Sequence, residues 1–415
     1  LERLTQPTKA SNPSRRRALA LALGTLIGAL AALAIWSAWK AHHDRVVGEI
    51  QVVGSRADVD ALLRERARDF AGRPAPKRAE DGEPRLLREP IDESIAVRLF
   101  PQIEVSHVAV MYDPHCYFRF RGNLKRKIPF AERPEGEWLF QTNSQGLRED
   151  TEIAAVKPEL RVIVTGDSHT EGLCNNRESY PNVLETALGL RHPGHSVEVL
   201  NCAKSGYSFY NYLGMLERFL DLKPDVFVMG VYGGNDFIEC TTLHHYFQRT
   251  DRPSCSVCDY DKLVQRYPDV TPNIFQQAYM QLVYFRHHPD ERAVALEAAC
   301  QVTAEVQRVC REHKIRLIVA YIPPFVDVQP KFLGHLLPES IELFAMKPDD
   351  LQITNRIVDD WLAYARGRGI ECLDLRARIA SEPLQLYWDR DHHLNLVGNR
   401  VVAESLLPTI EPELH

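Results

Sequence analysis

The chain has 415 residues, of which 45% are hydrophobic and 26% charged, the composition of a globular protein long enough for one large or two ordinary domains. Its formal net charge of −6 leaves no basic excess of the kind that nucleic acid recruits, so no nucleic-acid partner is expected.

Residues 18–39 contain no charged side chain. As a helix the run is about 33 Å long, enough to cross a bilayer core. Arg15, Arg16 and Arg17 abut its start, with Arg3 and Lys9 further back, whereas only Lys40 and Arg45 follow closely. This bias predicts a cytoplasmic tail over 1–17, a single inner-membrane anchor over 18–39, and an extracytoplasmic (periplasmic) remainder. A cleaved signal peptide fits less well, because its apolar region is usually shorter and its small-residue cleavage pattern follows that region. A buried soluble helix fits less well again, since the run is apolar on every face.

Residues 40–93 read as a short amphipathic helix over 57–70, carrying Val59, Leu62, Leu63 and Phe70, then a linker rich in Pro, Arg and Glu. Residues 94–155 read as an accessory β-rich segment packed on the main domain. Strands are expected over 105–112 and 116–121, punctuated by Asn123, Pro129 and Pro134.

From residue 156 to 415 the rhythm changes. Apolar strands are expected over 161–165, 197–201, 226–232, 315–322 and 370–375, and helices over 179–190, 210–222, 291–314, 355–366 and 396–407. Strands apolar on both faces, alternating with helices, predict an α/β fold: a flavodoxin-like, doubly wound parallel sheet covered on both sides. Residues 239–288 break the alternation and read as an insertion at the C-terminal edge of the sheet. The chain has nine cysteines. In an oxidising compartment some should pair and at least one should stay free. Cys255 and Cys258 form a lone C-x-x-C downstream of His244 and His245. A zinc site needs four placed ligands, so a local disulfide or free thiols is the better reading and no metal is expected.

Ligands of such sheets bind beyond the C-terminal ends of the strands. The first strand ends in Gly166-Asp167-Ser168-His169-Thr170, where a serine on a sharp strand-to-helix turn can project its hydroxyl into the cleft, although Asp167 and Ser168 also suit plain helix capping. Gly206 follows the second strand, where a glycine N–H can approach a ligand closely or simply make a turn. The third strand ends in Gly233-Gly234-Asn235-Asp236, common turn material whose Asn235 amide can donate to an oxyanion. The last loop, Trp388-Asp389-Arg390-Asp391-His392-His393-Leu394-Asn395, sets histidines beside carboxylates, the ingredients of an oriented general base.

Taken in this order, over roughly residues 143–407, these segments resemble the blocks of the SGNH (GDSL-like) hydrolase family, whose bacterial members often share a lead-in like Asn143-Ser144-Gln145-Gly146-Leu147-Arg148. The resemblance implies Ser168 as nucleophile, and an oxyanion hole from the Ser168 N–H, the Gly206 N–H and the Asn235 amide. A histidine would activate Ser168 and protonate the leaving alcohol, with no metal or organic cofactor required. The family's usual Asp-x-x-His is not met by His393, because Arg390 stands three residues before it. Asp391 with His393 is the expected pair, an Asp-x-His spacing similar to that of alginate-type acetyltransferase relatives, and Asp389 with His392 is the alternate. Cys174 and Cys202 fall near the cleft, either paired or narrowing it.

The resemblance with the anchor implies a serine esterase or O-acyltransferase acting on acyl groups, acetyl first, of a cell-envelope glycan. A transferase would need a partner protein to supply the acyl group. A lipid or small-ester hydrolase is the second expectation. A non-catalytic carbohydrate-binding or assembly module is the rival from another class.

Overall fold

The computed structural model describes residues 86–253, 279–334 and 336–414. The apolar run 18–39, the helix expected over 57–70 and the Cys255/Cys258 pair lie outside them. Among the described residues no helix is long and apolar enough to cross a membrane.

Five strands form one parallel sheet: β5 (Leu160–Thr165), β6 (Val197–Asn201), β7 (Val226–Tyr232), β8 (Arg316–Ile322) and β9 (Glu371–Asp374). Their spatial order is β6-β5-β7-β8-β9, the doubly wound order with the first strand between the second and third. Side chains alternate between two cores, as a pleated strand requires. On β5, β7 and β8 one face carries Val162, Val164, Val226, Val228, Ile318 and Ala320. It is covered by α1 (Tyr180–Arg191) and by a closing helix, Leu396–Ile410. The opposite face carries Ile163, Phe227, Met229, Leu317 and Val319. It packs with α2 (Phe209–Arg218), α3 (Asp236–Gln248), α4 (Met280–His287), α5 (Asp290–Glu312) and α6 (Ile353–Gly367). The closing helix is α7. Each large apolar side chain fully removed from water contributes about 1.5–3 kcal/mol, so these two layers hold the strand ends in place.

Ahead of the sheet lie two antiparallel hairpins: β1 (Val110–Asp113) with β2 (Tyr117–Phe120), and β3 (Lys125–Pro129) with β4 (Glu137–Gln141). Strand character was expected from residue 105, but Val105 ends a short helical turn, Gln102–Val105, and the strand begins at Val110. Cys116, Phe118, Phe120, Trp138 and Phe140 join the same core as α2. Gly214 makes this possible: a Cβ there would fall 2.3 Å from the His115 carbonyl oxygen. The segment expected as an insertion, 239–288, is described only in part. Its described residues are largely helical, with Leu243, Leu282, Val283 and Phe285 in the main core.

Candidate active site

The turn after β5 has little freedom. A Cβ on Gly166 would meet Thr170 Oγ1 at 1.9 Å and the Gly230 carbonyl oxygen at 2.9 Å, so the serine turn packs against β7 only with glycine there. Asp167 caps the single helical turn Ser168–Glu171 by accepting the His169 N–H at 2.9 Å. Ser168 therefore stands at a helix start beyond a strand end, where developing negative charge is favoured.

The loop before α7 delivers the partner. His393 Nε2 lies 2.7 Å from Ser168 Oγ. His393 Nδ1 is hydrogen-bonded to Asp391 Oδ1, which also accepts the His393 backbone N–H at 3.3 Å. Ser168, His393 and Asp391 are all nearly buried, at 8%, 7% and 7% exposure, so the contacts act in a weakly screening environment. Burial pulls the His393 pKa down, but Asp391, backed by Asp167 and Glu171, more than offsets it and holds it above the ordinary imidazole value. Burial also pushes the Asp167 carboxyl up to about 6, against the opposing pull of His393. Ser168 Oγ is 3.3 Å from Asp167 Oδ2, longer and weaker than its contact with His393.

The alternate pair is not assembled. His392 sits at φ +63°, and its ring packs edge-on to Phe325, with centroids 5.0 Å apart. Its Nε2 has no hydrogen-bond partner among the described residues, and burial lowers its pKa to about 4. The Asp389 carboxylate instead accepts from Gln385 Nε2 at 2.5 Å.

Gly206 and Asn235 stand at the ends of β6 and β7, the two strands that flank β5. Gly206 has φ +80°, a conformation open to glycine and costly to most other residues. Asn235 caps α3, and its Nδ2 donates to Glu239 Oε1 at 3.0 Å, which fixes the amide and leaves its second N–H. Behind it Asp236 is fully buried and accepts the Tyr232 N–H at 2.8 Å and the Tyr212 hydroxyl at 2.7 Å. Burial first, and the nearby Asp167 charge second, raise its carboxyl well above the usual range. The seven described cysteines are free thiols, so Cys174 and Cys202 do not pair; both are buried.

Sequence reasoning missed a brace beneath these groups. Glu171, one turn after Ser168, accepts both the Ser205 N–H (2.6 Å) and the Ser205 hydroxyl (2.7 Å), and so ties the serine turn to the residue before Gly206. Arg148 from the lead-in is fully buried and stands 3.6 Å from the other Glu171 oxygen. It donates to the Cys174 carbonyl and to Asn176 Oδ1, each at 2.8 Å, and lies over the rings of Phe140 and Trp138. The only sequence signal was the lead-in run itself, which carried no role for its arginine.

Residues 164–401 match the sequence profile of the GDSL-like lipase/acylhydrolase family. No curated protein sequence matches the chain. Among solved structures, the chain is similar to an acetyl xylan esterase at 17% identity, over 60% of this chain and 100% of that one, with a TM-score of 0.37. It is similar to a catalytic mutant of an acetylxylan esterase from Geobacillus stearothermophilus at 14% identity, over 62% and 96% of the two chains, TM-score 0.37. A GDSL-like lipase from Bacteroides thetaiotaomicron is also 14% identical, over 62% and 92%, TM-score 0.35.

Proposed function

This chain belongs to the GDSL-like lipase/acylhydrolase family, and from that premise we propose that it is a serine esterase whose machinery is Ser168, His393 and Asp391. The observation that carries the reading is the unbroken run from the Asp391 carboxylate through the His393 ring to the Ser168 hydroxyl. Ser168 Oγ attacks the ester carbonyl as His393 Nε2 takes its proton, and Asp391 stabilises the imidazolium. The negative charge that develops on the carbonyl oxygen is met by the Ser168 N–H, the Gly206 N–H and the Asn235 amide. His393 then protonates the leaving alcohol, and an acyl group remains on Ser168. Water, activated by the same histidine, releases it as the acid.

The substrate proposed is an acetyl ester on a cell-envelope glycan. It is supported by the apolar run 18–39 and its arginine flank, which would hold the catalytic domain on the far side of the inner membrane. A sugar hydroxyl in place of water would turn the same acyl-enzyme into an O-acetyltransferase, which would then depend on a partner protein for its acyl donor. The direct test is acetate release from O-acetylated envelope glycan by the full chain, with and without an added alcohol acceptor, and Ser168→Ala as control. Ser168-dependent release supports the reading. Turnover of long-chain lipid esters with no release from glycan would contradict the substrate class.

A further inference from the structure

The His/Asp loop is supported from outside the family-matched region. Glu132 lies in the turn that joins β3 to β4, half-buried. Its Oε1 accepts the Asp391 N–H at 3.0 Å and its Oε2 accepts the Arg390 N–H at 3.1 Å. On one side of it Phe130 packs edge-on against Trp388, with ring centroids 5.2 Å apart at 82°. On the other, Arg133 binds Glu178 through two hydrogen bonds of 2.8 and 3.2 Å, which fixes the turn to the segment following the serine helix.

The loop needs such support. Residues 389–393 form no helix or strand, so two successive N–H groups must find acceptors outside a regular ladder. One carboxylate satisfies both, and hydrogen bonds to a charged acceptor are the stronger kind. The next residue, His392, is held at φ +63°, a conformation that side-chain-bearing residues keep only where surrounding contacts impose it. The Asp391 residue whose N–H Glu132 holds is the one whose carboxylate receives both the ring and the backbone N–H of His393.

We propose that Glu132 is a positioning residue: by gripping the backbone of Arg390 and Asp391 it sets the Asp391 carboxylate, and through it the His393 ring, on Ser168. This rests on the reading of those three residues given above. It makes the β3–β4 hairpin part of the active-site framework. It also accounts for how a loop with Arg390 in place of the usual aspartate still presents a carboxylate to its histidine.

The test compares the full chain with Glu132→Gln and Glu132→Ala in two measurements. The first is hydrogen exchange of the backbone amides over residues 388–395, which needs no activity. Exchange should be fastest with Glu132→Ala and intermediate with Glu132→Gln, which keeps one neutral acceptor. Exchange unchanged by Glu132→Ala would overturn the proposal. The second is the pH profile of p-nitrophenyl acetate hydrolysis. A reacting group displaced by about 1 Å loses about 10²-fold in rate, so Glu132→Ala should lower kcat by about that factor with KM within about twofold. The acid limb should move to lower pH, since Asp391 no longer supports His393 against its burial while Asp167 and Glu171 remain. Glu132→Gln should recover most of the rate and most of the limb. A limb shifted equally in both variants would report the lost Glu132 charge and overturn the positioning role, as would a loss of rate with an unmoved limb. A wild-type chain inert toward the ester would count against the function proposed above, a failure visible before any variant is compared; the exchange measurement judges the Glu132 grip separately.

Discussion

His393 Nε2 meets Ser168 Oγ at 2.7 Å across 225 residues of sequence, because one stands at the mouth of β5 and the other on the loop that leads into α7. The sheet and its two helical layers bring them together, and the direction of the His393 ring is then set by Asp391.

That pairing has a pH signature. His393 acts as a base only when neutral, and its pKa is raised above the ordinary 6.5. The kcat/KM of ester hydrolysis should therefore rise with pH through a midpoint above 6.5 and be lost on acidification. Asp391→Asn should lower kcat by about 10²–10⁴-fold, since the amide neither stabilises the imidazolium nor enforces its tautomer. A profile with its midpoint at or below the ordinary 6.5, or an Asp391→Asn variant of wild-type rate, would contradict the assignment.

Asp389 should be dispensable. Its carboxylate is spent on Gln385, the His392 ring packs on Phe325, and Ser168 is met by His393. Asp389→Asn is expected within about twofold of wild type in kcat/KM, on the scale of a surface substitution. A loss beyond tenfold would favour the alternate pair.

The brace between Glu171 and the loop before Gly206 predicts separate effects on stability and rate. Arg148→Ala removes a fully buried cation and its hydrogen bonds to the Cys174 carbonyl and Asn176, and leaves Glu171 to Ser205 and the buried Lys204, at a cost of about 3–5 kcal/mol, measurable in a urea titration. Ser205→Ala keeps the Ser205 N–H contact and loses only the hydroxyl contact to Glu171. It should cost about 1 kcal/mol and act more on kcat than on KM.

Gly166→Ala tests the tightness of the serine turn. Its Cβ would sit 1.9 Å from Thr170 Oγ1 with the Gly230 backbone behind it, so relief requires moving Thr170 or the turn. Overpacking of this kind costs about 1–3 kcal/mol, and the melting temperature should fall together with activity. An unchanged melting temperature would contradict the packing described.

The parallel sheet was legible because its strands are apolar on both faces. Residues 226–232, expected as a strand, are the bounds of β7. Val105 misled because an apolar residue beside a β-like run says nothing of the helical turn it closes. The helix Asp236–Gln248 was hidden because Gly233-Gly234-Asn235-Asp236, where it starts, reads as a turn. At the site, the chemistry of Ser168 and of a histidine beside a carboxylate could be read from strand-end positions. The choice between His392 and His393 could not, because it rests on which ring the folded loop sets against Ser168, and two adjacent histidines beside carboxylates look alike in sequence. Nor could Glu132 be seen: its contact to Arg390 spans 258 residues and belongs to no motif.

The most direct measurement is covalent labelling of the full chain with a fluorophosphonate, the adduct located by peptide mass, in parallel with turnover of p-nitrophenyl acetate. Wild type and His392→Ala should label on Ser168 and turn over the ester. Ser168→Ala should do neither, and His393→Ala should lose both rates by about 10³-fold or more. A folded wild-type chain that takes no label, or a label that survives His393→Ala but not His392→Ala, would contradict the Ser168–His393–Asp391 machinery.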